Sequence, residues 1–518
     1  MRWRCRWLPT GVVAALGLAV APGRAAAQES PTLAVFIEVD QLRGDLLERY
    51  DPLFTAGFRR LLDQGFRFTQ ASHRHAATET AVGHATLATG VFPSRHGLIA
   101  NSWSEQRGGR WVPMYSVGDD SVAVLGRPDS GGRSPRNLLR TGIADWIIRR
   151  DPESLVVSIS GKDRAAIPLA GKVRGHVYWL DGAEFVTSTF YREALPPWVR
   201  AFNEAAMPAL WADTVWNSRV PPAEAHRSRP DTAAYEGDGV HTSFPHRFGA
   251  EAKGEGRGAL LAWMQGTPAP DAALGALAGV ALRELDLGRR GHLDFLSVAF
   301  SQTDYVGHLY GPLSREQMDN LLRLDQVLGT LFDELDREVG AGRWVAALSA
   351  DHGVLTEPEW RKSEGEPGAR LGSADLARVL RYAAAPPEDP VAAIEGLEAL
   401  GSIAAVYGRS ELERGAVPDS FAVLYRNSLY PGRVRGPLAR AGLEVRQTEG
   451  TAWSTAPTGT THGSPYWYDR WVPLVFLGAG VLPGVSEATV YTVDAAPTLA
   501  RLAGVPTPED LDGKPILR

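Results

Sequence analysis

Several short and almost wholly apolar runs constrain the fold of this chain most. They occur at residues 33–39, 155–159, 295–300, 344–349 and 472–477, with segments of helical spacing between them. Apolar runs of this length that do not alternate with polar residues are typical of strands buried on both faces of a sheet, and intervening helices favour parallel connections. We therefore predict an α/β fold, with a central and mostly parallel sheet covered by helices on both faces.

Polar residues directly follow four of the predicted strands. The carboxyl ends of parallel strands meet at one edge of a sheet, which is where such folds place their chemistry. The strand-end residues are Asp40, Gly161-Lys162, Ser301 to Asp304, and Asp351-His352. The sequence therefore predicts that these side chains share one site.

Other segments give local predictions. Residues 138–149 have the spacing of a helix, and the run 472–477 reads as the last strand. Residues 220–260 are rich in Pro, Gly, Ser and charge, which predicts a surface insertion with solvated histidines at His226, His241 and His246. Residues 370–455 mix helices with short strands such as 421–425 and are predicted to form a smaller inserted subdomain.

The first residues have the pattern of a secretory signal. A basic start precedes an apolar run at residues 8–20, and three alanines at 25–27 fit a cleavage site. We predict a signal peptide at 1–27, a catalytic domain at 28–518 and a periplasmic or secreted protein. An uncleaved membrane anchor is the alternative. No later stretch is long and apolar enough to span a bilayer, so no stable membrane insertion is expected after cleavage.

Charge and cysteine content narrow the functional classes. Cys5 is the only cysteine and lies in the predicted signal, so a metal in the mature chain must be held by His, Asp, Glu or hydroxyl groups. Removing residues 1–27 takes away four arginines and no acid, so the formal net charge of −6 becomes −10. An acidic exported protein is a poor candidate for nucleic-acid binding.

Thr80 stands just before a run of small residues that can start a helix. A hydroxyl at that position can cap the helix, and an anion such as phosphate is also favoured at the positive end of the helix dipole. The alternative is an ordinary capping threonine with no catalytic role.

Acids and histidines elsewhere in the chain make a metal centre plausible. Asp304 and His308 are four residues apart, so a helix would place both on one face. Six oxygen and nitrogen ligands would make two sites of three, and two metals about 4 Å apart can clamp an in-line phosphoryl displacement. Thr80 could also be a ligand, since coordination activates an alcohol as a nucleophile. The six are Asp40, Asp304, His308, Asp351, His352 and His462.

With these motifs the chain resembles the alkaline phosphatase superfamily. It is most similar to the branch of type I phosphodiesterases and nucleotide pyrophosphatases, and within it to threonine-nucleophile periplasmic alkaline phosphatases. The matching segments follow the family's order and span most of the mature chain. They are residues 39–43, 80–84, 97–101, 160–164, 303–308, 350–353 and 461–463.

The resemblance implies two zinc sites, one held by Asp304, His308 and His462 and the other by Asp40, Asp351, His352 and Thr80. It also implies that Thr80 attacks phosphorus to give a phosphothreonine, which water activated at the first site then hydrolyses. Asn101 would donate hydrogen bonds to a phosphoryl oxygen. Thr78 is a rival nucleophile by proximity. Sets of His and Asp accept several divalent ions, so zinc is not distinguished from the others by sequence.

Lys162 and Arg164 decide between monoesters and diesters. A monoester dianion has additional charged oxygens, for which a lysine and an arginine are suitable donors. The alternative is a pair of solvated surface bases. Because a Lys-x-Arg pair is similar to the monoesterase members, we predict an alkaline phosphatase acting on small phosphorylated substrates. A phosphodiesterase or nucleotide pyrophosphatase, and a catalytically inactive metal-containing binding protein, remain alternatives.

Overall fold

The computed structural model describes residues 30–384 and 390–517, so the predicted signal at 1–27 lies outside the described residues. Nine strands form the central sheet. In chain order they are β1 (Leu33–Val39), β2 (Phe66–Ser72), β3 (Val156–Ser160), β4 (His176–Asp181), β5 (Glu184–Val186), β6 (Asp294–Phe300), β7 (Trp344–Ser349), β8 (Leu474–Gly478) and β9 (Gly484–Tyr491).

The strand order across the sheet is β9-β2-β8-β7-β1-β6-β3-β4-β5. Strand β8 is antiparallel to β7 and β2, and β5 is antiparallel to β4, while the other neighbours are parallel. The predicted mostly parallel sheet is confirmed. The prediction that residues 472–477 form the last strand is wrong, because β9 follows as a half-exposed edge strand whose polar residues hide the apolar pattern.

Helices cover both faces of the sheet. The principal helices are α1 (Gly57–Gln64), α2 (Thr80–Thr89), α3 (Ile143–Arg150), α4 (Asp163–Leu169), α5 (Ala269–Glu284), α6 (Gln302–Tyr310), α7 (Arg315–Leu335) and α8 (Ala495–Leu502). Apolar side chains at odd positions of β1 pack against α5 and α7, and those at even positions pack against α3 and α8. Among the described residues, no helix combines the length and apolar character needed to cross a bilayer.

Two local predictions were wrong in their bounds or type. The helix predicted over 138–149 begins only at Ile143, after a loop. The segment predicted as a strand at 421–425 lies in the helix Ala422–Ser428. Its buried residues Ala422, Leu424, Tyr425 and Ser428 recur at helical spacing, so packing of one helix face decides the structure of this short apolar run.

The region 370–455 has elements and apolar contacts of its own. The strands Ile403–Gly408 and Leu443–Gln447 pair antiparallel, and the helices Ser373–Ala384 and Pro390–Glu398 accompany them. The short strand Arg433–Val434 joins this region to the body by pairing with Ser102–Arg107, directly after Asn101. This connection brings the region close to the carboxyl edge of the sheet.

The region 220–260 packs against the rest of the domain more extensively than its polar composition predicted. His226 is exposed and His241 is partly exposed beside Asp238, but His246 is buried. The rings of His246 and Trp216 pack together, and His246 lies 3.1 Å from both Glu316 and Glu251. The prediction that His246 is solvated was therefore wrong, since a two-strand pairing of Val215–Trp216 with His246–Arg247 turns it inward.

Candidate active site

Four adjacent parallel strands deliver polar residues to one place. Strands β7, β1, β6 and β3 are neighbours, and Asp351, Asp40, Asp304 and Lys162 follow them within a few residues. All four side chains are buried. The strand ends therefore form one polar centre above the sheet.

The first cluster consists of Asp304, His308 and His462. Asp304 and His308 lie one turn apart on α6, and Asp304 Oδ1 is 3.2 Å from His308 Nε2 and 3.6 Å from His462 Nε2. The Nδ1 atoms of the two rings donate to the carbonyls of Thr460 (2.8 Å) and Thr78 (2.6 Å). This leaves both Nε2 atoms directed at Asp304. Backbone carbonyls that accept from Nδ1 orient metal-binding histidines in this way.

The second cluster consists of Asp40, Asp351 and His352. His352 Nε2 lies 3.6 Å from Asp40 Oδ1 and 3.3 Å from Asp351 Oδ2, while its Nδ1 donates to the Gly353 carbonyl. Within the described residues, none of the three facing atoms has a hydrogen-bond partner. Because unpaired buried polar atoms are costly, a divalent cation bound among them fits this donor set.

The two clusters are neighbours. The rings of His352 and His462 stack with centroids 3.6 Å apart, and one ligand atom each of Asp40, Asp304 and His352 lies within 4.8 Å of the others. Two ions bound by the two clusters would therefore act on the same substrate.

Gln41 links the clusters and was not predicted. Its backbone N–H donates to Asp351 Oδ1 (3.0 Å), and its side-chain Nε2 donates to Asp304 Oδ1 (2.6 Å). Its φ of 68° is left-handed, which is uncommon for a residue other than glycine and is typical of functional sites. The turn after β1 thus holds one carboxylate of each cluster.

Glu38 and His84 form a second unpredicted group behind Asp351. His84 Nε2 lies 2.7 Å from Glu38 Oε2, and His84 Nδ1 lies 3.4 Å from Asp351 Oδ2. Glu38 also accepts a hydrogen bond from the Asp351 backbone N–H (2.7 Å). The sequence signals for this group were a carboxylate inside the otherwise apolar run of β1 and the position of His84 in the segment 80–84.

The centre has an excess of buried carboxylates. Lys162 Nζ lies 2.6 Å from both Asp40 Oδ2 and Asp304 Oδ2. Burial works to lower the pKa of Lys162, but the carboxylates of Asp304 and Asp40 outweigh it and raise the pKa. Burial, reinforced by Asp351, raises the pKa of Asp40. One lysine among Glu38, Asp40, Asp304 and Asp351 leaves room for further positive charge, which agrees with a metal centre.

Thr80 is the first residue of α2, and Glu79 holds the capping position. The expectation that the Thr80 hydroxyl caps the helix is therefore wrong. Among the described residues, this hydroxyl makes no hydrogen bond, whereas the hydroxyl of the rival Thr78 donates to the Ser464 carbonyl (3.0 Å). Of the two, only Thr80 has a hydroxyl left for substrate.

Three contacts fix the Thr80 segment against both clusters. At Gly83 the helix backbone comes so close to the Asp351 carbonyl that a Cβ would collide with it. His84 Nδ1 donates to the Thr80 carbonyl (2.8 Å) and faces Asp351, while Thr78 accepts from His462. The candidate nucleophile is thus held between the two ligand sets.

Asn101 lies beside the start of α2. Its Oδ1 accepts from the Ala81 N–H (2.9 Å), so its amide Nδ2 is the end left to face a substrate. Its backbone N–H donates to Glu79 Oε2 (2.7 Å), and Glu79 Oε1 lies 3.1 Å from Arg435. Glu79 and Arg435 were not predicted, because neither belongs to a recognisable local pattern.

Lys162 and Arg164 line the same cavity, which has a volume of about 220 Å³. Lys162 Nζ lies 4.9 Å from the Tyr305 ring centroid, and within the described residues Arg164 Nε is buried without a hydrogen-bond partner. The alternative of two solvated surface bases does not hold. In this structure, however, the Lys162 ammonium is engaged by Asp40 and Asp304.

Comparisons with known proteins agree with this geometry. The family model for type I phosphodiesterase / nucleotide pyrophosphatase matches residues 34–438. The alkaline phosphatase PhoV of Synechococcus elongatus is 32% identical, covering 94% of this chain and 92% of its own. The alkaline phosphatase PafA of Elizabethkingia meningoseptica is 30% identical, covering 97% of each chain.

A protein of Myroides odoratus named as a calcium-transporting ATPase is 33% identical, covering 94% of each chain. The crystal structure of wild-type PafA superposes with a TM-score of 0.84 at 28% identity, covering 94% of this chain and 98% of that one. On the extent of the family match and of these relatives, the chain belongs to the type I phosphodiesterase/nucleotide pyrophosphatase family of the alkaline phosphatase superfamily.

Proposed function

We propose that this protein is a metal-dependent alkaline phosphatase that hydrolyses phosphate monoesters with Thr80 as the nucleophile. The observation that carries the proposal is the unengaged Thr80 hydroxyl, on a segment fixed between two clusters of three candidate metal-binding side chains. The names of the relatives PhoV and PafA support the same activity.

Two ions would be held by the two clusters, with Thr80 contributing to the second. The donors are imidazole nitrogens and carboxylate oxygens without sulfur, and sets of three that leave a position open are typical of catalytic zinc. We therefore propose two Zn²⁺ ions. When bound, they would make the alcohol a usable nucleophile and neutralise charge on the leaving oxygen.

The protein's own residues bind and orient the ester. Thr80 Oγ gives up its proton to solvent and bonds to phosphorus, and the bond from phosphorus to the ester oxygen breaks, so that the alkoxide leaves and takes up a proton. Water then attacks the phosphothreonine, the bond from phosphorus to Thr80 Oγ breaks, inorganic phosphate is released and the Thr80 hydroxyl is restored. The Asn101 amide and the bases Lys162 and Arg164 would donate to the non-bridging phosphoryl oxygens, over which the charge of the transferred group is spread in the transition state. The positive end of α2 also favours the phosphoryl group at Thr80.

The cavity beside Lys162 and Arg164 favours monoesters over diesters. A diester has one charged oxygen fewer and would place an ester group against these two bases, where its burial is unfavourable. The terminal phosphate of ATP is dianionic like a monoester, and the name of the Myroides relative suggests ATP hydrolysis. ATP is therefore included among the substrates to be compared.

The test is made on the full purified protein. Metal content is measured, and kcat/KM is compared for an aryl phosphate, its methyl diester and ATP. Acid quenching followed by peptide mass spectrometry locates the phosphoryl group within residues 77–84. A higher rate for the diester, or a phosphorylated residue other than Thr80, would overturn the proposal.

The cellular location and domain limits are also proposed. The basic and apolar start of the chain supports export, with the signal at 1–27 and the catalytic domain at 28–518. The regions at about 220–260 and 370–455 would be insertions into that domain. N-terminal sequencing of protein recovered from outside the cytoplasm tests the cleavage site.

A further inference from the structure

A second and larger cavity is lined by residues of the candidate site, but not by Lys162 or Arg164. Its volume is about 430 Å³. Asn101, Glu79 and His462 form the wall nearest the centre, so the cavity is continuous with the candidate active site. The opposite wall comes from the region 370–455, for which the proposed chemistry has no role.

The far wall of this cavity is mainly apolar. Its side chains come from two helices, one strand and the loop after Thr451–Ala452, and they pack into one small cluster. They are Val379, Leu438, Leu443, Val445 and Trp453. A substrate group bound here is therefore removed from water against hydrocarbon and an indole ring, which favours apolar and aromatic groups.

The charged side chains of the cavity are compensated. Arg435 lies 3.1 Å from Glu79, and Glu444 lies 3.1 Å from Arg409. Among the described residues that line this wall, no cation is left over for a second anionic group, whereas Arg164 Nε in the smaller cavity has no hydrogen-bond partner. Electrostatics at this wall therefore favour a neutral group.

We propose that this cavity binds the alcohol portion of the phosphate ester and selects neutral aryl or nucleoside-like groups. The inference rests on the proposed function. Lys162 and Arg164 would hold the phosphoryl oxygens on one side of the centre, so the rest of the ester extends past Asn101 and His462. Trp453 and Leu438 are then specificity-determining residues contributed by the 370–455 region.

The first measurement is equilibrium binding, which does not depend on turnover. Calorimetry on the full, zinc-loaded protein compares methylphosphonate with naphthylmethylphosphonate, neither of which is hydrolysed. We expect the naphthyl compound to bind about tenfold to a hundredfold more tightly, as the burial of an aromatic group predicts. Trp453→Ala should remove most of this advantage.

The second measurement is the ratio of kcat/KM for 2-naphthyl phosphate over phenyl phosphate, whose leaving groups have similar acidity. Trp453→Ala and Leu438→Ser should lower this ratio about fivefold to tenfold. Because both substrates are measured on the same preparation, partial unfolding cancels from the ratio. Trp111→Ala is the matched control, because it removes an exposed tryptophan that does not line this cavity, and it should leave the ratio unchanged.

The outcomes separate the two proposals. If neither ester is hydrolysed and no phosphonate binds, the proposed function fails. If phenyl phosphate is hydrolysed but the naphthyl preference is absent, or survives both substitutions, only the assignment of this cavity is overturned.

Discussion

The metal-binding clusters and the region around Arg229 and His246 both bury charged side chains, but they arrange them differently. In the second region Arg229 contacts Glu236 and Glu357, and His246 lies between Glu316 and Glu251. At the strand ends, Asp40, Asp304 and Asp351 instead gather around the Nε2 atoms of His308, His352 and His462.

The comparison shows that burial of charge does not by itself identify a catalytic site. Within the described residues, groups of three ligand atoms that all lie within 4.8 Å of one another occur only around the strand ends. Around Arg229 the carboxylates are spread about cationic partners of the chain. The clusters at the strand ends are suited to binding metal ions. The ion pairs around Arg229 and His246 attach the 220–260 region to the rest of the domain.

The largest effect should follow removal of the nucleophile. Thr80→Ala is expected to lower kcat/KM for an aryl phosphate at least about a thousandfold, because no other free hydroxyl of α2 faces the clusters. Metal content should not change. Thr78→Ala removes a hydroxyl that already donates to Ser464 and should lose far less activity. Near wild-type turnover by Thr80→Ala would show that the nucleophile lies elsewhere.

The second largest effect should follow removal of the bases in the smaller cavity, which are Lys162 and Arg164. Lys162→Ala and Arg164→Ala should each lower kcat/KM for monoesters about a hundredfold, but lower it much less for a diester, because only a dianion uses both bases. Arg133→Ala is a matched control, since Arg133 lines the same cavity but is paired with Asp163 at 2.5 Å. Equal losses on both ester types would contradict dianion binding.

A smaller effect tests the positioning of Asp351. Glu38→Gln should weaken zinc binding about tenfold to a hundredfold, because it disturbs the His84 contact and the carboxylate that orients the Asp351 backbone. Competition with a chromophoric chelator measures the change. Glu236→Gln removes an equally buried acid near Arg229 and should leave zinc affinity as it is. If the two variants behave alike, the distinction between the two regions fails.

Substitution of His246 in the 220–260 region should have the smallest effect on catalysis. It should instead change how the free energy of unfolding depends on pH. Burial opposes protonation of His246, but Glu251 and Glu316 raise its pKa to about 9. In the unfolded chain the pKa is about 6.5, so this contribution is complete below that pH and is lost as the pH rises through about 9.

The contribution of His246 amounts to roughly 3 kcal/mol of unfolding free energy. Denaturant unfolding between pH 6 and 10 should therefore show a decline for the wild type that is absent in His246→Gln. His226→Gln, at an exposed position, should retain the wild-type decline. A parallel decline in all three proteins would rule out His246 as its source.

The sequence predicted the parts of the fold that depend on local pattern. The strands β1, β3, β6 and β7 were recognisable because they are almost wholly apolar, and the fold class and family are confirmed. The prediction that Asp304 and His308 lie on one face of a helix followed from their spacing of four residues, and the structure places them there. His462 lies in a loop without periodicity, so its place in the site came from the resemblance to known phosphatases.

The remaining contacts depend on residues that are distant in the chain. Gln41 meets Asp304 across 263 positions, and Glu79 meets Arg435 across 356, so no local pattern reports either contact. His246 was misjudged because its Pro- and Gly-rich surroundings resemble an exposed loop. Polar composition predicts the average exposure of a segment, whereas the burial of a single side chain depends on the local direction of the backbone.

The backbone contact at Gly83 sets how far the alcohol of Thr80 can reach. Because the helix backbone lies directly against the Asp351 carbonyl, this main-chain contact sets the spacing between α2 and the Asp351 loop, while the His84 and His462 side chains hold the segment in place. An engineer could therefore exchange side chains of the cavity walls to change which esters are accepted, while a single added methyl group at this glycine would displace α2 and the reactive oxygen with it.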